Sequence, residues 1–168
     1  MGELKAFVND FLGEESASLL AVCPYQKDMD HVLKCQMGCL LRISMRSIEE
    51  VARYAQIQVV LEKLQRLDKI VVYLDCLRNI SPALLPSCDL ILSPSTAEEA
   101  LQMCLKLIEL QAASVVVLDS WFQLPLRAEE TAPLFQNNGV ARYQFFEKAM
   151  TRLSQNSQKN LINVLLIE

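Results

Sequence analysis

The chain has 168 residues, 52% of them hydrophobic, and its 16 basic and 20 acidic side chains give a formal net charge of −4. This length predicts one domain with a substantial core, and the apolar fraction excludes an intrinsically disordered chain. The negative charge excludes a globally basic nucleic-acid-binding protein. No run of 18 apolar residues and no signal-peptide pattern is present, so we expect a cytoplasmic protein, or a nuclear one in a eukaryote, with its six cysteines reduced and no membrane contact.

The first 37 residues are expected to form an amino-terminal helical extension that packs on a core domain spanning residues 38–168. Within this extension, residues 3–12 place four apolar side chains on one face of a short helix, namely Leu4, Phe7, Val8 and Phe11. The pattern leaves open whether the two phenylalanines dock on the sheet of the same chain or on a neighbouring subunit.

From residue 38 onward, short apolar runs alternate with amphipathic stretches of helical period. The runs predict strands at 38–45, 69–75, 88–93, 114–119 and 161–167, and the amphipathic stretches predict helices at about 47–67, 97–108 and 140–155. Ser47 with Glu50, and Thr96 with Glu99, have the spacing of capping boxes. This alternation predicts a three-layer α/β fold, with a mostly parallel sheet covered by helices on both faces.

The strand predicted at 114–119 is the most informative stretch, because its β-branched apolar run ends in Asp119. The strand at 69–75 ends in the same way, in Asp75. Ligands bind at the carboxyl edge of open α/β sheets, which makes Asp119 the first candidate for chemistry. The alternative is a strand-end acid that caps a helix or accepts a hydrogen bond from a loop. A long segment at 121–139 follows, and its length predicts a functional or mobile loop.

Several strings resemble, in order, the ATPase core of RecA-type recombinases. Thr96 to Leu101 looks like the segment that opens the helix before the family's Walker B strand, and Val115 to Ser120 looks like that strand itself. Residues 124–129 look like the start of the first DNA-binding loop. The resemblance covers about residues 38–168, and it implies a RecA-like P-loop fold, RecA-like partner subunits and contact with DNA.

The nucleotide-binding residues of that family are not reproduced. Residues 45–51, where the P-loop would fall, contain neither glycine nor lysine, and Glu49 and Glu50 would repel phosphates. Leu77 stands where the resemblance leads us to expect a catalytic glutamate, and Glu168 stands where it leads us to expect a sensor glutamine. We therefore expect no catalytic residue and no cofactor. The residues expected to form a vestigial nucleotide site are Asp119, Ser120 and Ser47. Binding of ATP and magnesium at this site is the less favoured alternative.

Basic side chains are concentrated in residues 138–160, where Arg142, Lys148, Arg152 and Lys159 face a single acid, Glu147. Together with Arg127 and the polar tip at 136–139, they predict a weak contact with the phosphates of single-stranded DNA. The residues assigned to this contact are Arg127, Asn137, Asn138 and Arg142. A solvated helix face is the alternative interpretation.

A second cluster has metal-ligand residue types, namely Cys23, His31, Cys35 and Cys39. Structural zinc takes four nitrogen or sulfur ligands, and the four-residue spacing of the last three would place them on one helix face. Buried reduced thiols are the favoured alternative.

These observations predict an accessory or scaffold protein of DNA recombination or repair that has kept a RecA-like fold and lost ATP hydrolysis. It would act by self-association or by binding a recombinase. Two alternatives stay open: a divergent DNA-dependent ATPase that completes its site in an oligomer, and a zinc-stabilised protein-interaction module.

Overall fold

The computed structural model describes residues 38–43, 50–130 and 139–168. The predicted amino-terminal extension, Ser47, and the loop tip that carries Asn137 and Asn138 lie outside the described residues.

Within these ranges the strands and helices alternate along the chain. The strands are β1 (Leu40–Ile43), β2 (Val71–Asp75), β3 (Leu90–Leu92), β4 (Val115–Asp119) and β5 (Asn163–Ile167). The α-helices are α1 (Glu50–Arg66), α2 (Ala97–Glu109), α3 (Arg127–Glu130) and α4 (Gly139–Asn160). Two 3₁₀ helices, Pro82–Ser87 and Trp121–Gln123, lie in the connections after β2 and β4.

Every strand and helix predicted from residue 38 onward is present, which confirms the predicted element order. The helix predicted to end near residue 155 continues to Asn160, and the side-chain amides of Asn156 and Asn160 each donate to the carbonyl four residues earlier. The segment predicted as one irregular loop contains a 3₁₀ helix and α3, each at most four residues long. Both are too short for a periodicity argument to detect.

The five strands form one sheet in the order β1-β5-β4-β2-β3, and every neighbouring pair is parallel. The connection from β1 to β2 runs across the sheet in one direction, while those from β3 to β4 and from β4 to β5 return in the other. Right-handed crossovers in opposite directions place their helices on opposite faces of a sheet. The predicted three-layer fold with a parallel sheet is confirmed.

Side-chain alternation along the strands produces two separate cores. Even-numbered strand residues such as Val116 and Leu118 pack with α2 and α4, whereas odd-numbered ones such as Val117 pack with α1 and the first 3₁₀ helix. This alternation puts Asp75 and Asp119 on the α1 side of the sheet, at its carboxyl edge. None of the helices within the described ranges is long and apolar enough to cross a membrane.

The connection after β4 is anchored by Trp121, which is fully buried between the sheet and α4. Its indole N–H donates to the Ala97 carbonyl at 2.9 Å, and its ring meets the Phe146 ring edge-on with centroids 5.0 Å apart. A buried tryptophan with a partner for its N–H combines a large apolar surface with a satisfied donor. Trp121 and Leu124 therefore fix this connection to the packed core.

Candidate functional site

Asp119 ends the central strand β4 and is almost completely buried, with 2% of its surface exposed. Its Oδ2 accepts a hydrogen bond from the Tyr73 hydroxyl at 2.5 Å, and its Oδ1 accepts one from the Ser120 hydroxyl at 2.9 Å. Ser120 has a left-handed backbone conformation with φ of 59°, and its N–H donates to the Ile167 carbonyl at 2.8 Å. The carboxylate thus joins β4 to β2 and to the turn that follows it.

Tyr73 was not singled out by the sequence, although the sheet register accounts for its position. Residue 73 pairs with Val117, so Asp119 is its diagonal neighbour on the same face of the sheet. A long side chain reaches such a diagonal neighbour, and the tyrosine hydroxyl needs a partner because the whole residue is buried. The alternation of side chains along β2 predicts which face Tyr73 lies on. Only the pairing of β2 with β4 shows that Asp119 is its neighbour on that face.

Asp75 lies beside Asp119, because the two residues are Cα partners at the ends of β2 and β4. Its two carboxylate oxygens accept hydrogen bonds from the backbone N–H groups of Asn79, at 3.2 Å, and Ile80, at 3.0 Å. Asp75 therefore caps the loop after β2. Two residues further on, Leu77 presents an apolar side chain that is 39% exposed at the position where the resemblance leads us to expect a glutamate.

Glu168 follows β5 and is directed away from this acid pair. Its side chain is 4% exposed and forms a two-pronged ion pair with Arg42, in which Nη2 lies 2.8 Å from Oε2 and Nε contacts Oε1. This hydrogen-bonded carboxylate raises the pKa of Arg42, whose guanidinium also stacks over the Phe122 ring at 5.2 Å. By strand alternation Arg42 and Glu168 lie on the α4 side of the sheet, opposite to Asp119.

Three thiols of the described residues, Cys76 beside the acid pair and Cys88 and Cys104 further away, have raised pKa values. Burial raises the pKa of Cys76, and the negative charges of Asp119 and Asp75 raise it further. Burial alone raises the pKa of Cys104, while burial and the charge of Asp89 raise that of Cys88 to about 11. A nucleophilic cysteine needs a lowered pKa, so these three do not have that character.

The described ranges contain no group of three or more His, Cys, Asp or Glu side chains that could hold a metal ion. Of the predicted zinc ligands, Cys39 is half-buried and forms no disulfide, and Cys23, His31 and Cys35 lie outside the described residues. The zinc hypothesis remains a prediction.

The predicted DNA contacts do not share one environment. Arg127 is exposed at the start of α3, where its backbone N–H donates to the Glu98 carboxylate at 3.1 Å. Arg142 is 28% exposed and its guanidinium binds inward, to Glu129 Oε2 at 2.7 Å and to the carbonyls of Leu124, at 2.9 Å, and Phe122. Asn137 and Asn138 lie outside the described residues. Arg142 thus has a structural role whether or not DNA binds.

An open groove of about 850 Å³ lies beside Arg142, between β1 and α4. Phe122, Phe146 and Met150 contribute its apolar lining, and Arg42 and Lys148 contribute charge. The groove is on the opposite side of the sheet from Asp119, so it is separate from the acid pair.

No family model matches the chain, and no curated protein sequence matches it. Among solved structures the chain is similar to the crystal structure of the RadB recombinase, with a TM-score of 0.53 and 17% sequence identity, over 84% of this chain and 67% of that one. A similarity at this identity establishes the fold. The RecA-like fold implied by the sequence strings is thereby confirmed.

Proposed function

We propose that the protein is a RecA-like accessory or scaffold subunit of DNA recombination or repair that does not hydrolyse ATP. It acts by associating with itself or with an active recombinase. The structural similarity to a recombinase supports the process, and the state of the acid pair supports the loss of catalysis.

The observation that carries this proposal is the contrast between an intact sheet edge and an incomplete site. Asp75 and Asp119 end neighbouring strands in register, but the first caps a loop and the second accepts hydrogen bonds from Tyr73 and Ser120. Leu77 has no group that activates water. Residues 45–51 lack the glycines and lysine that surround phosphates in a P-loop.

A scaffold role is compatible with this loss, because the fold does not depend on a nucleotide. The two cores on either side of the sheet are built from apolar side chains of every strand and of α1, α2 and α4. Burial of each such side chain contributes about 1.5–3 kcal/mol to stability. The fold therefore has a source of stability that does not involve a P-loop.

Calorimetric titration with Mg-ATP tests the loss of nucleotide chemistry. We expect no heat of binding at nucleotide concentrations up to about 1 mM. This result would mean that the dissociation constant exceeds about 1 mM, which corresponds to a binding free energy weaker than roughly 4 kcal/mol. An active recombinase provides the positive control. Micromolar binding that is lost in a folded Asp119→Asn variant would instead support a divergent ATPase that completes its site in an oligomer.

Light scattering tests the partner role. The mass of the protein is measured alone and after mixing with a full-length recombinase from the same source. We expect a self-associated species or a stoichiometric complex with the recombinase. A monomer that leaves the mass of the recombinase unchanged would contradict the scaffold proposal. Zinc analysis of the same sample tests the remaining alternative, which requires about one equivalent of metal.

Contact with single-stranded DNA is a second candidate function, favoured by the exposure of Arg127 within the segment that the resemblance assigns to DNA binding. Anisotropy titrations at about 50 mM salt should show weak binding that falls as salt is raised. Arg127→Ala should weaken it. Lys106→Ala, which removes an exposed cation from the opposite edge of the sheet, is the matched control. Equal effects of the two variants, or no binding, would exclude this function.

A further inference from the structure

Three helices end in the same way, each followed directly by an exposed leucine. Leu67 follows α1, Leu110 follows α2 and Leu161 follows α4, and their exposed fractions are 54%, 62% and 55%. Ile70, just before β2, is 49% exposed. We call these four residues the amino-edge patch, because all of them lie where strands of the sheet begin.

Backbone hydrogen bonds show that the parts of this patch are neighbours. The Ile70 carbonyl accepts from the N–H groups of Ser114, at 2.8 Å, and Val115, at 3.0 Å, and the Ser114 carbonyl accepts from Asn163 at 3.2 Å. The segments that lead into β2, β4 and β5 therefore lie side by side. Every residue of the amino-edge patch is within four positions of this row, and clustered exposed apolar side chains mark interaction surfaces.

The chain also enters the described fold at this edge. The N–H groups of Gly38 and Cys39 both donate to Asn163 Oδ1, at 3.0 Å each. Gly38 has a φ of 88°, and a Cβ atom there would lie 3.0 Å from the Ser157 carbonyl oxygen in the last turns of α4. Residues 1–37 thus join the core beside Leu161.

The charges on the two sides are complementary. Around the amino-edge patch, five basic side chains outnumber three acidic ones: Lys63, Arg66, Lys69, Lys106 and Lys159 against Asp68, Asp89 and Glu109. In residues 3–12 the balance is reversed, with Glu3 and Asp10 against Lys5, and Glu14 and Glu15 follow directly after Gly13. The same segment carries Leu4, Phe7, Val8 and Phe11 at helical spacing. An acidic amphipathic segment matches an apolar patch with a basic rim.

We propose that residues 3–12 dock on the amino-edge patch of their own chain. Their apolar stripe covers the leucines that follow α1, α2 and α4, and their acids face the basic rim. This edge lies at the other end of the strands from Asp119, so the proposal does not depend on the fate of the nucleotide site.

Photo-crosslinking in the full chain tests the proposal. Phe7 is replaced by the photoreactive residue p-benzoylphenylalanine, and equal amounts of normal and ¹⁵N-labelled chains are mixed before irradiation. We expect crosslinks within one chain to residues 66–70, 107–112 or 158–162. Crosslinks between light and heavy chains would show that a second copy occupies the patch, and crosslinks to other regions, or none, would equally overturn the proposal.

Charge substitutions then test the patch directly. Leu110→Asp combined with Leu161→Asp should lower the crosslink yield at least fivefold, because two carboxylates replace the apolar surface on which residues 3–12 dock. Both leucines are exposed in the described fold, so the core is not changed. Val140→Asp is the matched control, since Val140 is also exposed and lies at the other end of α4. A yield that both variants change equally, or that neither changes, would contradict docking at this site.

Discussion

At the scale of single residues, the surroundings of a carboxylate decide its role. Asp119 and Asp75 both end strands, yet each has its oxygens engaged by donors from its own chain. A buried carboxylate is tolerated only when such donors are present, because an unpaired buried charge is strongly unfavourable. These hydrogen bonds make the two acids compatible with burial, and they also connect β2 and β4 to the residues around them. Both acids therefore stabilise the fold.

Tyr73→Phe should destabilise the protein by about 1–3 kcal/mol, because it removes a donor from a buried carboxylate. Tyr143→Phe is a close control: its hydroxyl also donates to a carboxylate at 2.5 Å, that of Glu147, but on an exposed face of α4. Urea unfolding of both variants gives the comparison. Equal stabilities for the two variants would show that burial does not set the strength of the Tyr73–Asp119 bond.

Stability should fall as the pH rises above about 8.5, the ordinary pKa of an unfolded cysteine. Burial raises the pKa of Cys76, Cys104 and Cys88 in the folded state, so above this pH the unfolded chain loses these protons while the folded chain keeps them. The slope is about 1.4 kcal/mol per pH unit for each thiol. Urea unfolding in reductant from pH 7 to 10 measures it.

The double variant Cys76→Ala and Cys104→Ala separates this effect from other titrations. Its loss of packing lowers stability equally at every pH, whereas its loss of two thiols makes the decline above pH ~8.5 shallower and leaves the contribution of Cys88. A decline as steep as that of the parent protein would show that these two thiols do not cause it.

At the scale of elements, the predicted capping box that lies within the described residues is present at the start of α2. The Thr96 hydroxyl accepts from the Glu99 N–H at 3.2 Å, as the capping box predicts, while the Glu99 carboxylate accepts from Ser95 at 2.7 Å, one residue before the usual partner. At their other ends, α1 and α2 are followed by left-handed residues that are not glycine, Asp68 and Gln111. The last turns are closed by bonds such as that from the Ala112 N–H to the Leu107 carbonyl.

Gln111→Gly should therefore stabilise the protein by about 0.5–1 kcal/mol, because glycine adopts the left-handed conformation without the steric cost of a Cβ atom. Gln102→Gly, at an exposed position inside α2, should destabilise it by about the same amount. Thermal or urea unfolding distinguishes the two. A loss of stability in Gln111→Gly would mean that the glutamine side chain has a stabilising contact that outweighs its backbone strain.

At the scale of the whole molecule, the two faces of the sheet carry different sets of charged side chains. The α1 side carries the acid pair, and the α4 side carries the Arg42–Glu168 ion pair, Arg142 and the groove. Arg142 connects α4 to the connection after β4 by binding Glu129 and the carbonyls of Leu124 and Phe122. Its planar guanidinium reaches several acceptors at once, which a lysine ammonium does not do in the same geometry.

Arg142→Ala should lower the free energy of unfolding by about 1–3 kcal/mol, and Arg142→Lys should restore only a small part of it. Arg152→Ala, an exposed position on the same helix, should have little effect. Full rescue by lysine would show that charge alone matters. The loss of unfolding free energy in the Arg142 variants also shows whether a defect in DNA binding comes from a destabilised fold.

The sequence by itself determined the strands, the three long helices, the acids at the ends of β2 and β4, and the RecA-like fold class. These follow from short-range periodicity, from helix caps and from strings of adjacent residues, all of which are local. That residues 45–51 contain neither glycine nor lysine is equally a local property.

The tertiary structure alone decided the strand order and the partners of the critical side chains. Tyr73 and Asp119 are 46 positions apart, and Arg42 and Glu168 are 126 apart. No local pattern encodes such pairs, because they depend on which strands become neighbours and on which face each residue lies. The amino-edge patch has the same origin: three helix ends distant in sequence meet only because parallel strands align all their starting points at one edge of the sheet.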